Sequence, residues 1–398
     1  MAQPLDGIKV LEIGNFIAGP FCGMLLADMG AEVIKIESPK GGDLARATPP
    51  FVDGLSAQFS SLNRNKRSLA LDLRQTEARD VVLRLAKTAD VLIENNRPGV
   101  MEKLGIGAEQ IRLVNPKIVY VSVSGFGQTG PDRRRAAVNL IIEAASGTLS
   151  VTGEPDDTPM RPGLQTGDVL GAMFAVYAVL SGLVGAARQG EGRIADVSLV
   201  EASIASAMLE TGEYLATGKA PKPMGHRHRL AAPYQLFQTK DGRHLAIGSP
   251  SNKVFEAMMR TIGQEEHLGD ERFATYATRK KNEDAIVAIV QSGVAKREAL
   301  ELEKAMVDAG VPCSLVRNFE DVFDDPQIQS RGMLVDSPRA GGGRTRSVRN
   351  PILLDRDGPV IRRPPPILGE HSREILEQAG YEASEIEKFA AQGITLLA

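Results

Sequence analysis

The sequence is poor in the residues that build disulfide frameworks and metal centres. Only two cysteines, Cys22 and Cys313, occur among its 398 residues, which is too few for a disulfide framework, and no Cys/His spacing fits zinc. The five histidines form no metal-ligand pattern either. The formal net charge of -3 gives the whole chain no attraction to nucleic acid or anionic lipid. We therefore expect no metal, no nucleic-acid partner and no membrane partner.

Several motifs of common enzyme classes and targeting signals are also missing. The N-terminal stretch MAQPLDGIKV lacks the basic and apolar segments of a secretory signal, so the cytoplasm is the expected location. No G-x-S-x-G nucleophile elbow occurs. The glycine turn GNFIAGPFCG, at 14–23, does not fit the G-x-G-x-x-G fingerprint of dinucleotide-binding proteins, which disfavours a nicotinamide site. A backbone pocket for a phosphate-bearing ligand and a plain helix start both remain open interpretations.

One hydrophobic run is long enough to cross a membrane. Residues 169–187 carry no formal charge, but glycines and alanines dilute their hydrophobicity, and such small residues suit a helix packed on several sides in a core. We predict a buried helix with Asp168 at its start. Asp168 is then either an acid that accepts backbone N–H groups in the first turn or a partly dry carboxylate available as a nucleophile.

Strand-like and helix-like patterns alternate over the first 125 residues. Short strands that alternate with helices indicate βαβ units, and hence an α/β fold with a parallel sheet covered on both faces. Binding sites in such sheets lie beyond the carboxyl ends of the strands. The predicted strands span 8–14, 31–37, 68–73, 89–95 and 117–126.

The pattern changes at the proline-rich, basic segment 218–233, which we interpret as a linker between the first 217 residues and a second domain. Residues 234–328 follow as a small α+β domain with a strand pair and several helices. The linker carries a run of basic side chains that is either an exposed loop or a carboxylate-recognition loop, since Arg and His both pair with acids. These side chains are His226, Arg227, His228 and Arg229.

A set of segments follows in order from about residue 5 to the end of the chain. They are GIKVLEIGNFIAGPFCGMLLADMGAEVIKIESPKGGDLAR, NRNKRSLALDL, ENNRPGVMEKLG, VSVSGFGQTGP and LGEHSREILEQAGY. Together they resemble the class III CoA-transferases of the CaiB/BaiF type, which include formyl-CoA transferase, carnitine CoA-transferase and the α-methylacyl-CoA racemases. The resemblance implies an interlocked homodimer. It also implies a Rossmann-like large domain, begun by 1–217 and completed by the return connection and tail at 329–398.

The resemblance also implies a mechanism. In the transferases an aspartate attacks the acyl-CoA, giving a mixed anhydride and then an aspartyl-CoA thioester, and the matching position here is Asp168. CoA would be a substrate, and no permanently bound cofactor is expected. Backbone N–H groups near Gly248 and Ser249 are the expected stabilisers of the oxyanion.

Further positions match the CoA contacts of the family. One departure is Ser38, where formyl-CoA transferase has a basic residue, so two interpretations stay open: Lys40 or Arg46 substitutes for it, or the nucleotide phosphate is held more loosely. The matching positions are Ile17, Ala18, Leu71, Arg74, Asn95, Asn96, Arg97, Lys103 and Arg135.

Two alternatives to a transferase remain. An acyl-CoA racemase or isomerase of the same family needs a His-Asp pair, but Val138 and Asn139 occupy those places and neither is a general base. A non-catalytic CoA-binding protein is the other alternative, because the site rather than the fold decides function. For the acid substrate, the arginines at 227 and 229 suggest a small dicarboxylate.

Overall fold

The computed structural model of the protein describes residues 3–338 and 342–398. The described residues divide into two compact units, the first from the ranges 1–149, 161–218 and 329–398 and the second from 150–160 and 219–328. Of the segment predicted as a linker, Gly218 therefore lies in the first unit and residues 219–233 lie in the second. Residues 150–160, which the sequence assigned to the large domain, also lie there, because the N–H of Gly225 donates to the carbonyl of Gly153 at 2.8 Å.

A seven-stranded sheet forms the centre of the first unit, in the order β14-β5-β2-β1-β6-β7-β8. Every neighbouring pair is parallel except β14 with β5. This confirms the predicted α/β class, and the five predicted strands form at their expected places. The strands of the chain are β1 (Lys9–Ile13), β2 (Glu32–Glu37), β3 (Phe51–Val52), β4 (Leu55–Ser56), β5 (Lys66–Leu71), β6 (Val91–Glu94), β7 (Val119–Ser124), β8 (Ile194–Ser198), β9 (Tyr234–Gln238), β10 (His244–Gly248), β11 (Cys313–Leu315), β12 (Leu334–Pro338), β13 (Arg344–Val348) and β14 (Thr395–Leu396).

Helices cover both faces of this sheet, because alternate strand residues are apolar on each side. Val10 packs into one core with Cys22 and Val179, whereas Leu11 packs into the other with Val81 and Ile375. The helices of the first unit are α1 (Ala18–Asp28), α2 (Ala57–Leu62), α3 (Thr76–Ala86), α4 (Val100–Lys103), α5 (Ala108–Val114), α6 (Asn139–Ala145), α7 (Thr166–Gln189), α8 (Leu199–Ser206) and α9 (Met208–Thr217), with α16 (Ser372–Gln378) and α17 (Ala383–Ala391) near the end of the chain.

Helix α7 is only partly buried within the chain, so the prediction of a helix packed on several sides is wrong. Its small residues form one stripe, where a Cβ on Gly171 would collide with Leu199 and one on Gly182 would lie 2.5 Å from Val119 Cγ1. The stripe lets α7 approach the sheet and α8 closely, but it covers one face only. The large apolar side chains on the opposite face are exposed: Val169, Met173, Phe174, Tyr177, Leu180 and Val184.

The same helix is the one described helix whose length and composition would permit a membrane span. Core helices of proteins that never meet a membrane pass the same test, and 28% of its most apolar window is buried inside the chain. The helix is therefore weak evidence for a span.

The second unit has a core of its own around a three-stranded antiparallel sheet, in the order β11-β10-β9. Strands β9 and β10 form the predicted pair, with Gly242 in the left-handed region (φ 78°) at the turn between them. Phe237, Leu245 and Met258 are among the residues that fill the core. The helices between residues 252 and 330 are α10 (Asn252–Thr261), α11 (Tyr276–Lys281), α12 (Glu283–Val294), α13 (Ala299–Asp308), α14 (Phe319–Asp324) and α15 (Pro326–Ser330).

Candidate active site

A cavity of about 380 Å³ opens in the first unit at the carboxyl ends of β1, β6 and β7, where binding sites of parallel sheets are expected. It is bordered by the loop before α1, the residues after β6, the arginine-rich segment before α6, and the first turn of α7. Its lining comprises Asn15, Phe16, Ile17, Ala18, Asn95, Asn96, Arg97, Pro98, Val123, Ser124, Gly125, Arg133, Arg135, Ala137, Val138, Asn139, Gln165, Asp168 and Leu199.

The loop after β1 is held in place by side chains from other elements. Asn95 binds Asn15 twice, since its Oδ1 accepts the N–H and its Nδ2 donates to the carbonyl, both at 2.9 Å. Asn95 can approach this closely because residue 14 is glycine, where a Cβ would lie 2.8 Å from Asn95 Oδ1. Asp43 Oδ1 accepts the N–H of Phe16 at 3.0 Å, which supports Phe16 in the left-handed region (φ 61°).

A cluster of compensated charges lies under this loop. Lys35 Nζ lies 2.8 Å from Glu12 Oε1 and 2.9 Å from Asp43 Oδ2, and Lys66 Nζ lies 2.8 Å from Glu12 Oε2. The four side chains are fully buried. Burial alone would lower the pKa of Lys35, but the carboxylates of Glu12 and Asp43 outweigh it and raise that pKa. Burial dominates at Lys66 and lowers its pKa to about 8.

Asp168 is the third residue of α7, and it lines the cavity from the first turn of the helix. Burial, and secondly the charge of Glu143, raise the pKa of Asp168 to about 6. Among the described residues no hydrogen bond reaches its carboxylate, so the expectation that it accepts backbone N–H groups at the helix start is wrong. Its surroundings raise the energy of the ionised form, whereas the helix dipole alone would have lowered it.

Two side chains of α6 accept hydrogen bonds from N–H groups in the first turn of α7. Glu143 Oε1 accepts the N–H of Thr166 at 3.2 Å and its hydroxyl at 2.7 Å. Asn139 Oδ1 accepts the N–H of Asp168 at 3.2 Å, and the flanking residue Gln165 makes no side-chain cap. Among the described residues, the carboxylate of Asp168 is therefore not used as a cap of α7.

Most of the predicted CoA contacts lie together on the cavity wall with Asp168. Arg97 and Arg135 are exposed there, and Arg135 also pairs with Asp132 at 3.1 Å. The amide nitrogen of Asn96 is already hydrogen-bonded, because Nδ2 donates to the carbonyl of Ile13 at 3.1 Å. The predicted residues on the wall are Ile17, Ala18, Asn95, Asn96, Arg97 and Arg135.

Three predicted contacts lie outside the lining of this cavity. Leu71 is fully buried in β5, where it belongs to the core. Arg74 is exposed, and its Nη2 lies 2.6 Å from Asp72 Oδ2. Lys103 is exposed at the end of α4. The sequence signal placed them near strand and helix ends without fixing the direction of each side chain.

Of the two cations expected to substitute for the basic residue missing at Ser38, Arg46 is already bound. Its Nη2 lies 2.6 Å from Glu37 Oε1, its Nη1 donates to the carbonyl of Pro366 at 3.0 Å, and its guanidinium stacks 3.7 Å from the ring centroid of Phe59. These contacts favour a structural role for Arg46 over a role in phosphate binding. Lys40 remains exposed.

The expected oxyanion donors in the second unit are also engaged. The N–H of Gly248 donates to the carbonyl of Pro312 at 3.0 Å, and the N–H of Ser249 donates to the carbonyl of Pro233 at 3.1 Å. Neither group is left to bind a substrate oxygen, so this prediction is wrong.

The basic run of the second unit is paired with acids and carbonyl groups. Arg227 Nη1 lies 2.7 Å from Asp284 Oδ1 and 3.9 Å from Glu283 Oε2. Arg229 Nη2 donates to the carbonyl of Lys222 at 3.1 Å. These contacts argue for a structural role, so the run gives little support to the expected carboxylate-recognition loop.

Sequence reasoning missed two groups at the site. Asn139 was considered only as an absent base, and Glu143 was not considered, although their i, i+4 spacing places both on one face of a short helix. Arg133 joins Arg135 in the cavity lining, and the run of three arginines in DRRR at 132–135 was the available signal.

Within residues 3–338 and 342–398, no three His, Cys, Asp or Glu side chains gather as a metal site would require.

Comparisons with known proteins agree on one family. A profile of the family described as CoA-transferase family III matches residues 5–372. The succinate–glutarate CoA-transferase of Agrobacterium fabrum is 37% identical over 94% of this chain and 95% of its own length. The succinyl-CoA:glutarate CoA-transferase of Mus musculus is 34% identical over 98% of this chain and 90% of its own length.

A solved structure has the same fold. The crystal structure of a CAIB/BAIF family protein from Brucella suis superposes with a TM-score of 0.84 at 35% sequence identity. The match covers 95% of this chain and 100% of that one.

Proposed function

The chain belongs to CoA-transferase family III, and from that membership we propose that it transfers CoA through covalent intermediates on Asp168, with a small dicarboxylate as acid substrate. The protein is an enzyme that moves CoA from an acyl-CoA thioester to a free carboxylic acid. The observation that carries the proposed mechanism is the state of Asp168, a partly buried carboxylate on the cavity wall that receives no hydrogen bond from the described part of the chain.

A carboxylate in this state is suited to nucleophilic attack. With a pKa of about 6, Asp168 is mainly ionised at neutral pH, yet it is more basic than an ordinary aspartate. Higher basicity accompanies higher nucleophilicity, and covalent catalysis divides one difficult exchange into easier steps.

The proposed sequence of steps conserves atoms and charge. An oxygen of Asp168 attacks the thioester carbonyl, the C–S bond breaks, and a mixed anhydride and the CoA thiolate result. The thiolate then attacks the side-chain carbonyl of Asp168, which releases the donor acid and leaves an aspartyl-CoA thioester. The acceptor carboxylate attacks that thioester and forms a second anhydride, and the thiolate finally attacks the acceptor carbonyl and frees Asp168.

We place the pantetheine arm of CoA along Ile17 and Ala18 and its phosphates near the cations at the rim. Arg97 and Arg135 are suited to this, because the guanidinium group pairs with two phosphate oxygens at once. Lys40 is the remaining candidate for the function of the basic residue that is missing at Ser38. Leu71, Arg74 and Lys103 receive no support from the cavity.

The proposal of a dicarboxylate rests on two supports. Two relatives carry succinate, glutarate or both in their names, and both of these acids have a second carboxylate at the far end from the reacting one. Arg133 shares the cavity with Asp168 and has the charge and geometry to bind that second carboxylate.

The exposed face of α7 supports the proposal of a homodimer. Contiguous exposed apolar surface marks an interaction site, and the apolar face of α7 has exposed apolar neighbours along the chain in α8 and α9. A dimer would bury these side chains, and interlocked chains could not separate without unfolding. Two differently tagged samples mixed under native conditions should then form no mixed dimers, whereas rapid exchange would contradict the interlocked form. The neighbours are Ile204, Met208, Leu209, Tyr214 and Leu215.

The mechanism is tested by mass spectrometry after incubation with a crossed panel of acyl-CoA donors and carboxylate acceptors. The Asp168 peptide should gain the mass of the acyl group or of CoA, and Asp168→Ala should show neither adduct nor CoA transfer. Glu201 is a matched control, because it is an exposed acid in the first turn of the neighbouring helix α8, and Glu201→Gln should behave as wild type. Near-wild-type transfer by Asp168→Ala would rule out the mechanism.

A further inference from the structure

The start of α7 is capped by another helix, which is uncommon, since an N-terminal cap is usually supplied by the residue that precedes the helix. Here Gln165 supplies none. Glu143 instead binds Thr166 through Oε1, and Asn139 binds the N–H of Asp168 through Oδ1. Both come from α6, one turn apart.

The N–H of Asp168 also fixes the orientation of the Asn139 amide. A donor must face an acceptor, so Oδ1 of Asn139 points to Asp168 and Nδ2 points away. Among the described atoms, Asn139 Nδ2 and Glu143 Oε2 are buried without a partner, one a donor and the other an acceptor.

Two buried polar side chains with unsatisfied atoms reduce stability, since each such group loses its hydration without a full replacement. Groups of this kind are concentrated at functional sites. Asn139 is 7% exposed and Glu143 is fully buried, and both lie beside the one carboxylate on which the reaction depends.

We infer that Glu143 and Asn139 are positioning residues of the transfer reaction: they cap α7 in place of Asp168, which leaves its carboxylate free to attack the thioester. This inference rests on the proposed role of Asp168 as the nucleophile. An aspartate in the first helical turn commonly accepts backbone N–H groups, and an Asp168 so engaged would be a weaker nucleophile. Because the N–H of Asp168 is already bound to Asn139, one backbone donor fewer is available to the Asp168 carboxylate.

Glu143 adds an electrostatic effect to the cap. A second carboxylate near Asp168 disfavours its ionised form, so it raises the basicity of the attacking oxygen. Other charged groups on the surrounding elements are either exposed on the cavity wall or bound elsewhere. They are Arg97, Arg133 and Arg135 on the wall, Asp28 of α1 bound to Arg64, Asp196 of β8 bound to the N–H of Gln128, and the exposed Glu201 of α8.

The test compares Glu143→Gln with wild type in single-turnover formation of the Asp168 adduct, measured by quench and mass spectrometry across pH. Glutamine keeps an oxygen for Thr166 but removes the charge. The acid limb of the rate should move to lower pH, by up to about one unit, and the rate well above that limb should fall about three- to tenfold because the nucleophile is less basic.

Asn139→Ala removes the acceptor of the Asp168 N–H without a change of charge. We expect the adduct to form about fivefold more slowly, because the carboxylate of Asp168 then binds the free N–H groups of the helix start in place of Asn139. Fivefold is about the factor that corresponds to the free energy of one helix cap. KM for the acyl-CoA should be unchanged. Thr166→Val is a second, nearly isosteric variant in case Glu143→Gln folds poorly. It removes the hydroxyl that holds Glu143 and should move the rate in the same direction by less.

Glu201→Gln should leave both the rate and the pH profile as in wild type. Glu143→Gln and Asn139→Ala with wild-type rates and an unmoved acid limb would overturn the inference, while an adduct on Asp168 in those same samples would leave the proposed function intact. Absence of any adduct on Asp168 in the wild-type protein would instead overturn the proposed function itself.

Discussion

Two clusters of charged side chains lie beside the starts of helices α1 and α7, and they differ in whether their acids are paired with a cation. Near α1, Glu12 and Asp43 each lie within 2.9 Å of a lysine ammonium group. At α7, the carboxylates of Asp168 and Glu143 have no such partner among the described residues, and the pKa of Asp168 is raised to about 6.

This difference indicates a separate role for each cluster. Compensated charges hold the loop at 14–17 in one conformation, and the loss of either sign would leave the other buried and unpaired. Uncompensated acids reduce stability, so their presence at a cavity indicates chemistry. The comparison predicts that changes at α1 mainly affect folding and changes at α7 mainly affect activity.

The largest expected effect is on activity at α7. Asp168→Asn should lower the rate of CoA transfer by at least about 10⁴-fold if Asp168 is the nucleophile, as we propose. Its free energy of unfolding, measured in urea, should be equal to or higher than that of wild type, because a buried unpaired charge is gone. A folded Asp168→Asn protein that is less stable than wild type and still transfers CoA at a substantial rate would contradict the comparison between the two clusters.

The next effect is on stability at α1. Lys35→Met leaves Glu12 short of one ion pair and Asp43 without its lysine, so the free energy of unfolding should fall by about 3–5 kcal/mol. Lys240 is the control, because its ion pair with Glu298 is exposed, and Lys240→Met should leave the urea midpoint nearly unchanged. Equal midpoints for the two variants would contradict the assigned role of the α1 cluster.

A smaller effect is expected from crowding of the same cluster. A Cβ on Gly23 would collide with the carboxylate of Glu12, so Gly23→Ala should lower the free energy of unfolding by about 1–3 kcal/mol. Gly185 of α7 has open space around its position in the chain, and Gly185→Ala should not destabilise the protein. Urea titration of both variants measures the contrast.

The smallest effect concerns pH. Burial raises the pKa of Glu94, at the end of β6, to about 7, above its value in the unfolded chain. The folded state therefore holds the proton more tightly, and this stability is lost as pH rises through 7. Between about pH 6 and about pH 8.5, wild type should lose about 1 kcal/mol more stability than Glu94→Gln. Parallel stability curves for the two proteins would contradict this.

The sheet was predictable from sequence because its strands are short segments rich in Val, Ile and Leu that alternate with helical segments, as in KVLEI at 9–13 and EVIKIE at 32–37. The exposure of α7 was not predictable, because hydrophobicity does not distinguish a core from an interface between chains. Residues 150–160 were misassigned because the contact that ties them to the second unit, the hydrogen bond from Gly225 to Gly153, joins positions far apart in the sequence.

The candidate site was predictable only in part. Asp168 was identified through the resemblance to a family, and six of its predicted neighbours line the same cavity. The protein partners of Arg46, Gly248 and Ser249 were not predictable, because sequence does not reveal which groups are already bound by Glu37, Pro312 and Pro233. Glu143 was missed because its role depends on a contact with a helix that starts later in the chain.

The most direct test follows the oxygen atoms. In the proposed steps the bridging oxygen of the second anhydride comes from the acceptor acid and stays with Asp168 when CoA leaves with the acceptor. Turnover with an acceptor labelled with oxygen-18, in unlabelled water, should therefore place one heavy oxygen in the Asp168 peptide and, after a further cycle, in the released donor acid. Complete CoA transfer with no heavy oxygen in Asp168 would contradict the mechanism.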